Sequence, residues 1–123
     1  MPNVEVIFYQ EQDGSSPVRE WINELPKKIR AKARMRIERL ADLGHELRRP
    51  EADYLRDEIY ELRWRVQSVN YRILYFFHGR EIVVLAQGLT KEREVPSRDI
   101  DLAVKRKKEF SLNPKLHTYI IGD

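Results

Sequence analysis

The chain has 123 residues, 41% hydrophobic and 35% charged, with 23 Lys and Arg against 20 Asp and Glu for a net charge of +3. That length suits one domain with a modest core and excludes two, and the slight basic excess leans towards an anionic partner. Having no cysteine, the chain can build no disulfide framework, thiolate nucleophile or cysteine-based zinc site. His45, His78 and His117 lie far apart, without ligand spacing, and are read as surface or loop residues. No metal and no cofactor are expected. No apolar run approaches the ~20 residues of a membrane span, and "MPNVEVIFYQ" lacks the basic and apolar regions of a signal peptide. A cytoplasmic protein with no membrane partner is expected.

In chain order, "VEVIFYQ" (4–10) is β-branched and aromatic and reads as a first strand. Ser16 then suits an N-cap with Pro17 at the first helical position. Val18, Trp21, Ile22 and Leu25 follow at helical spacing. Pro26 ends that helix and opens a second over 27–43, with Ile29, Ala33, Ile37, Leu40 and Ala41 on one side and Gly44 as its stop. A short break between the two helices suggests an antiparallel hairpin.

Residues 45–57 read as polar and irregular. In "IYELRWRV" (59–66), Tyr60, Leu62, Trp64 and Val66 share one face of a second strand, and Glu61, Arg63 and Arg65 share the other. "YRILYFF" and "IVVLA" are the next two strands, joined through "HGRE". Being apolar at nearly every position, they should be central and covered on both faces. Pro96 ends the extended region, and Ser97 can cap a last helix near 98–110. Its stripe of Ile100, Ala103, Val104 and Phe110 is interrupted by Lys107. The expected fold is α+β in the order β-α-α-β-β-β-α. Its antiparallel sheet carries an N-terminal helical hairpin on one face, and the first strand can join the edge. One domain is expected over 1–112, with a tail at 113–123 whose "TYII" either adds a short strand or stays loose.

Charge gathers in two places. "KKIRAKARMRIERL" (27–40) reads as a solvated helix face, an RNA-facing surface, or an interface for an acidic protein segment. Arg63 and Arg65 project from the polar strand face, where Glu61 can pair with a neighbouring Arg as an ordinary surface ion pair. If Ile73, Tyr75 and Phe77 look towards the hairpin, Arg72 joins Arg63 and Arg65. Three converging guanidiniums then call for an anion, and Arg grips phosphate in bidentate fashion. Lys91 and Arg93 follow the fourth strand beside Gly88, where the backbone can turn sharply or approach a ligand closely.

At "ELRWR", "YRILYFF", "GLTKEREVP" and "DIDLAVKRKKEF" the sequence resembles the HigB-like branch of the RelE/ParE toxin superfamily, including its phage-derived members. The resemblance runs from the helical hairpin to the last helix. It implies a RelE/ParE-like fold and a type II toxin, an endoribonuclease that cleaves messenger RNA on the translating ribosome. It also implies a cognate HigA-like, helix-turn-helix antitoxin. The family's basic positions fall on Arg63, Arg72 and Lys91, with Arg65, Tyr71 and Arg93 as further RNA contacts. Where many relatives have paired lysines this chain has Thr90 and Lys91. Pro96 and Ser97 stand near the point where others place a His or Tyr, so no acid–base residue carries over.

Metal-independent cleavage uses attack by the RNA 2′-OH, which predicts that RNA is cut and DNA is not. Arg63 and Arg72 suit stabilisation of the developing charge. Lys91 suits acid–base work if neighbouring cations lower its pKa, and charge stabilisation otherwise. No spacing selects Tyr71 or Tyr54 as a helper. Two alternatives use the same residues: a ParE-like topoisomerase-inhibiting protein without nuclease chemistry, and a non-catalytic basic nucleic-acid adaptor.

Overall fold

The computed structural model describes residues 3–91 and 93–119, and only the backbone of Lys91. The elements are β1 (Glu5–Phe8), α1 (Pro17–Asn23), α2 (Lys27–Leu43), a single 3-10 turn (Gly44–Glu46), β2 (Ala52–Arg56), β3 (Ile59–Val66), β4 (Val69–His78), β5 (Ile82–Lys91) and α3 (Ser97–Leu112). The fold is α+β. Five strands form one sheet in the order β1-β5-β4-β3-β2. Strands β2 to β5 run antiparallel to their neighbours, and β1 joins the edge parallel to β5.

The two sheet faces bury different helices. Leu62, Trp64, Tyr71, Ile73, Tyr75, Val83 and Leu85 pack with Val18, Ala33 and Leu40 of the hairpin. Ile59, Leu74, Phe76, Val84 and Leu89 pack with Ile100, Ala103 and Phe110 of α3. This double cover explains why β4 and β5 are apolar at successive positions.

Helix α1 begins after Ser16, as its sequence suggests, but the hydroxyl does not cap it. Ser16 Oγ instead donates to the Tyr9 carbonyl (3.1 Å), and Glu20 Oε2 accepts from the Ser16 N–H (3.0 Å). Against β5 the helix presses Trp21 so closely that a β-carbon on Gly88 would lie 2.4 Å from its ring. The close approach anticipated at Gly88 is therefore made by the protein's own indole.

Strand β2 corrects the reading of 45–57 as irregular. A register shift between Tyr54 and Arg56 interrupts its pairing with β3. One extra residue moves the following side chains to the opposite face and removes the alternation that marks a strand. A second shift, opposite Leu74 and Tyr75, leaves Ala86 of β5 over.

The last helix also differs in detail. Lys107 is half-buried and pairs with Glu58 (3.0 Å). It is Arg106 that occupies the inward position between Ala103 and Phe110. Its Nη1 donates to the Ala86 carbonyl (2.7 Å) and to Gln87 Oε1 (3.0 Å), and Nη2 donates to Glu11 Oε2 (2.8 Å). The Ala86 carbonyl is thereby satisfied by a helix on the neighbouring layer.

The tail is attached at its start. Gln10 N–H donates to the His117 carbonyl and Tyr119 N–H to the Phe8 carbonyl, so 117–119 lie antiparallel along β1. Ile120 and Ile121 lie outside the described residues. His117 is buried, contrary to its reading as a surface or loop residue: its ring stacks on Tyr9 and its Nδ1–H donates to the Gln10 carbonyl (2.7 Å).

Candidate functional site

Three cross-strand rows build the site on the face shared with α3. The first is Glu61–Leu74–Gln87, the second Arg63–Arg72–Leu89, and the third Arg65–Asn70–Lys91. Residues opposite one another on adjacent strands point to the same side. The register thus brings Arg63, Arg65 and Arg72 to one face, and Lys91 takes the end position of the same row as Arg65. Next to the first row, Gln87 Nε2 donates to Asp99 Oδ1 in the first turn of α3 (2.9 Å). The site therefore adjoins the N-terminal end of that helix.

The local turns set this register. A two-residue link, Gln67–Ser68, joins the Val66–Val69 pair, and Gln67 takes φ 58° to close it. Such tight links match the right-handed twist of the flanking strands. At the other end His78 pairs with Ile82 around Gly79–Glu81, where Gly79 takes φ 67°.

The arginines differ in burial and partners. Arg72 has a side chain only 10% exposed, and its Nε lies 2.8 Å from Glu61 Oε1. The Arg63 side chain is 32% exposed, with Nη1 3.1 Å from Glu61 Oε2 and Nε donating to the Pro50 carbonyl (3.0 Å). Arg65 is exposed, its Nε donating to the Gln67 carbonyl (3.2 Å). The anion that the converging guanidiniums call for is supplied from within the fold by Glu61. This corrects the picture of an open hollow awaiting phosphate. One carboxylate shared by Arg63 and Arg72 leaves that trio with a net charge of +1 (two cations less one anion).

A second layer fixes the strand that carries Arg63. Arg36 of α2 donates through Nε to the Arg63 carbonyl (2.9 Å) and through Nη1 to Glu51 Oε2 (2.9 Å). Arg39 adds two bonds to the same carboxylate. The Arg39 guanidinium, with Arg36 beside it, holds the Glu51 carboxyl below its ordinary range against the opposing effect of burial. Part of the basic run on α2 is therefore spent on a structural clamp. Neither Glu51 nor Arg36 stands out in the sequence, where each is one charge among many.

Other anticipated residues lie elsewhere. Tyr71 points to the hairpin face, buried and stacked on Trp64 (centroids 5.8 Å apart). Alternation along β4 places it opposite in direction to Arg72, so it does not belong with the arginines. Tyr54 is exposed on β2 with its ring edge-on to Tyr60 (5.1 Å), again on the hairpin side. Arg93 is exposed in the loop after β5. The Lys91 side chain lies outside the described residues.

A family model described as "Phage derived protein Gp49-like" matches residues 20–108, which takes in most of the hairpin, the arginine strands and most of α3. The chain is also similar to "Probable endoribonuclease HigB1" of Mycobacterium tuberculosis, from strains CDC 1551 / Oshkosh and ATCC 25618 / H37Rv. Each is 27% identical over 103 residues, which cover 82% of this chain and 79% of the relative.

Proposed function

The chain belongs to the phage-derived Gp49-like family, and from that premise we propose that it is a HigB-like toxin of a type II toxin–antitoxin system, an endoribonuclease acting on messenger RNA at the ribosome. The observation that carries this reading is the pairing of Arg63 with Arg72 across β3 and β4, on the sheet face that also carries Arg65. Similarity to "Probable endoribonuclease HigB1" supports it.

In this reading the RNA 2′-oxygen attacks the adjacent phosphorus and the P–O5′ bond breaks. The products are a 2′,3′-cyclic phosphate and a 5′-hydroxyl. The 2′ proton leaves during attack, and the departing 5′ oxygen is protonated. Arg63 and Arg72 stabilise the negative charge that builds on the phosphorane, a task for fixed cationic donors. Lys91 adds charge from the next row, and Arg65 and Arg93 hold the flanking backbone. No side chain on the arginine face is assigned the proton transfers. Alignment of the strand by the ribosome supplies reactive geometry that so small a catalytic set lacks. A HigA-like helix-turn-helix antitoxin is the corresponding partner.

The ion pairs of Glu61 favour a second reading, a basic binding protein without nuclease chemistry, whether topoisomerase-directed or an RNA adaptor. Mapping message ends after incubation with translating ribosomes separates the two. New 5′-hydroxyl ends support the nuclease, while intact messages with inhibited supercoiling or retained RNA binding support the alternatives.

A further inference from the structure

Arg63 and Arg72 stand directly opposite each other, a placement in which like charges repel. Glu61 lies two residues before Arg63 on the same face, its side chain 5% exposed, with each carboxylate oxygen against a different guanidinium. Burying a carboxylate to this degree is costly unless it is paired. The adjacent Arg49–Asp53 pair (2.8 Å) is neutral in itself and leaves the +1 of the trio unchanged. An ordinary surface ion pair would leave both partners in water and one arginine per carboxylate. Here a single buried carboxylate bridges two strands at the row where charge is needed.

We infer that Glu61 is a positioning residue for RNA cleavage: it holds Arg63 and Arg72 side by side in the geometry that grips one phosphate, and its charge weakens ground-state binding. The inference rests on reading the cluster as the RNA site. Donors fixed before the substrate arrives need no reorganisation as charge develops. Interactions that strengthen only in the transition state raise turnover, whereas tighter binding of the resting phosphate does not. A trio of net charge +1 holds a singly charged phosphodiester moderately. Without the Glu61 charge the pair would hold it more tightly and less accurately.

The test compares wild type with Glu61→Gln and Glu61→Asp by kcat and KM for message cleavage on programmed ribosomes, alongside thermal melting of each protein. Glu61→Gln should lower KM about fivefold, from removal of one nearby negative charge, and lower kcat about 10- to 100-fold, from loss of donor geometry. Glu61→Asp keeps the charge and shortens the reach, so KM stays near wild type while kcat falls. A purely structural role would not tighten KM. Unchanged constants in both variants, or losses that merely track melting temperature, overturn the inference. If Glu61→Gln does not fold, Glu61→Asp decides alone, with reduced kcat at unchanged KM in support and unchanged kcat against. A wild type that cuts while the variants match it removes this inference only; a wild type that cuts no message removes the ribonuclease reading with it.

Discussion

Arg106 of α3 donates to the carbonyl of Ala86, the residue left over by the β4–β5 ladder, at 2.7 Å. The same guanidinium reaches Glu11 in the loop after β1. One side chain thus ties the C-terminal helix to a strand irregularity and to the N-terminal part of the chain. Its ring neighbour is Tyr9, 5.6 Å from the guanidinium carbon.

Arg106→Met should therefore destabilise the protein by about 2–4 kcal/mol, because it leaves a buried carbonyl and a carboxylate without their donor. Urea denaturation measures this, and hydrogen exchange should show α3 amides losing protection before those of β4. A loss below about 0.5 kcal/mol, the range of an ordinary surface change, would show that the clasp contributes nothing.

The contact between Trp21 and Gly88 gives a second expectation. A β-carbon at Gly88 would meet the rigid ring at 2.4 and 2.5 Å, so Gly88→Ala should cost about 1–3 kcal/mol through overpacking. Adding Trp21→Leu should relieve much of that cost, giving a non-additive double-mutant cycle. Additive losses in the cycle would remove the steric explanation.

Acid stability should depend on Glu51. Its folded pKa is depressed by Arg39 and Arg36, so the folded state holds the proton less tightly than the unfolded chain. The contribution is complete above the unfolded value of 4.5 and is lost as pH falls through the folded value. The stability gap between wild type and Glu51→Gln should be wide at neutral pH and should close in strong acid. Urea titrations at both pH values read this directly, and a gap of constant size would contradict it.

Much of the frame was legible because period-two alternation survives where a strand is regular. Tyr60, Leu62 and Trp64 on one face and Glu61, Arg63 and Arg65 on the other place the polar row correctly, and the doubly covered β4 and β5 show as continuous apolar runs. The 27–43 helix falls within its expected limits. What the pattern hid has a common cause, which is local irregularity resolved by distant partners. The shift in β2 erased its alternation, so Ala52–Arg56 looked like loop. Arg106 sits at the inward spacing between Ala103 and Phe110, a charge on an apolar stripe. Lys107 beside it interrupts the stripe as well, so the linear pattern does not say which of the two turns inward. Glu61 could be placed on the right face, yet its sharing between two arginines depends on register and burial that no linear spacing contains. Tyr71 adjoins Arg72 in sequence, yet adjacent residues on a strand face opposite ways, which puts it on the hairpin side.

The central claim is that Arg63 and Arg72 act together on one RNA phosphate. The most direct measurement is 5′-end mapping of messages on translating ribosomes with wild type, Arg63→Lys and Arg72→Lys, each checked for folding by thermal melting. Lysine keeps the charge and loses the planar fork. The account predicts 5′-hydroxyl ends from wild type and, in each folded variant, cleavage reduced about 100-fold or more, the scale of losing a fixed transition-state donor. Wild-type cleavage retained in both folded variants, or messages left intact by the wild type, would contradict it.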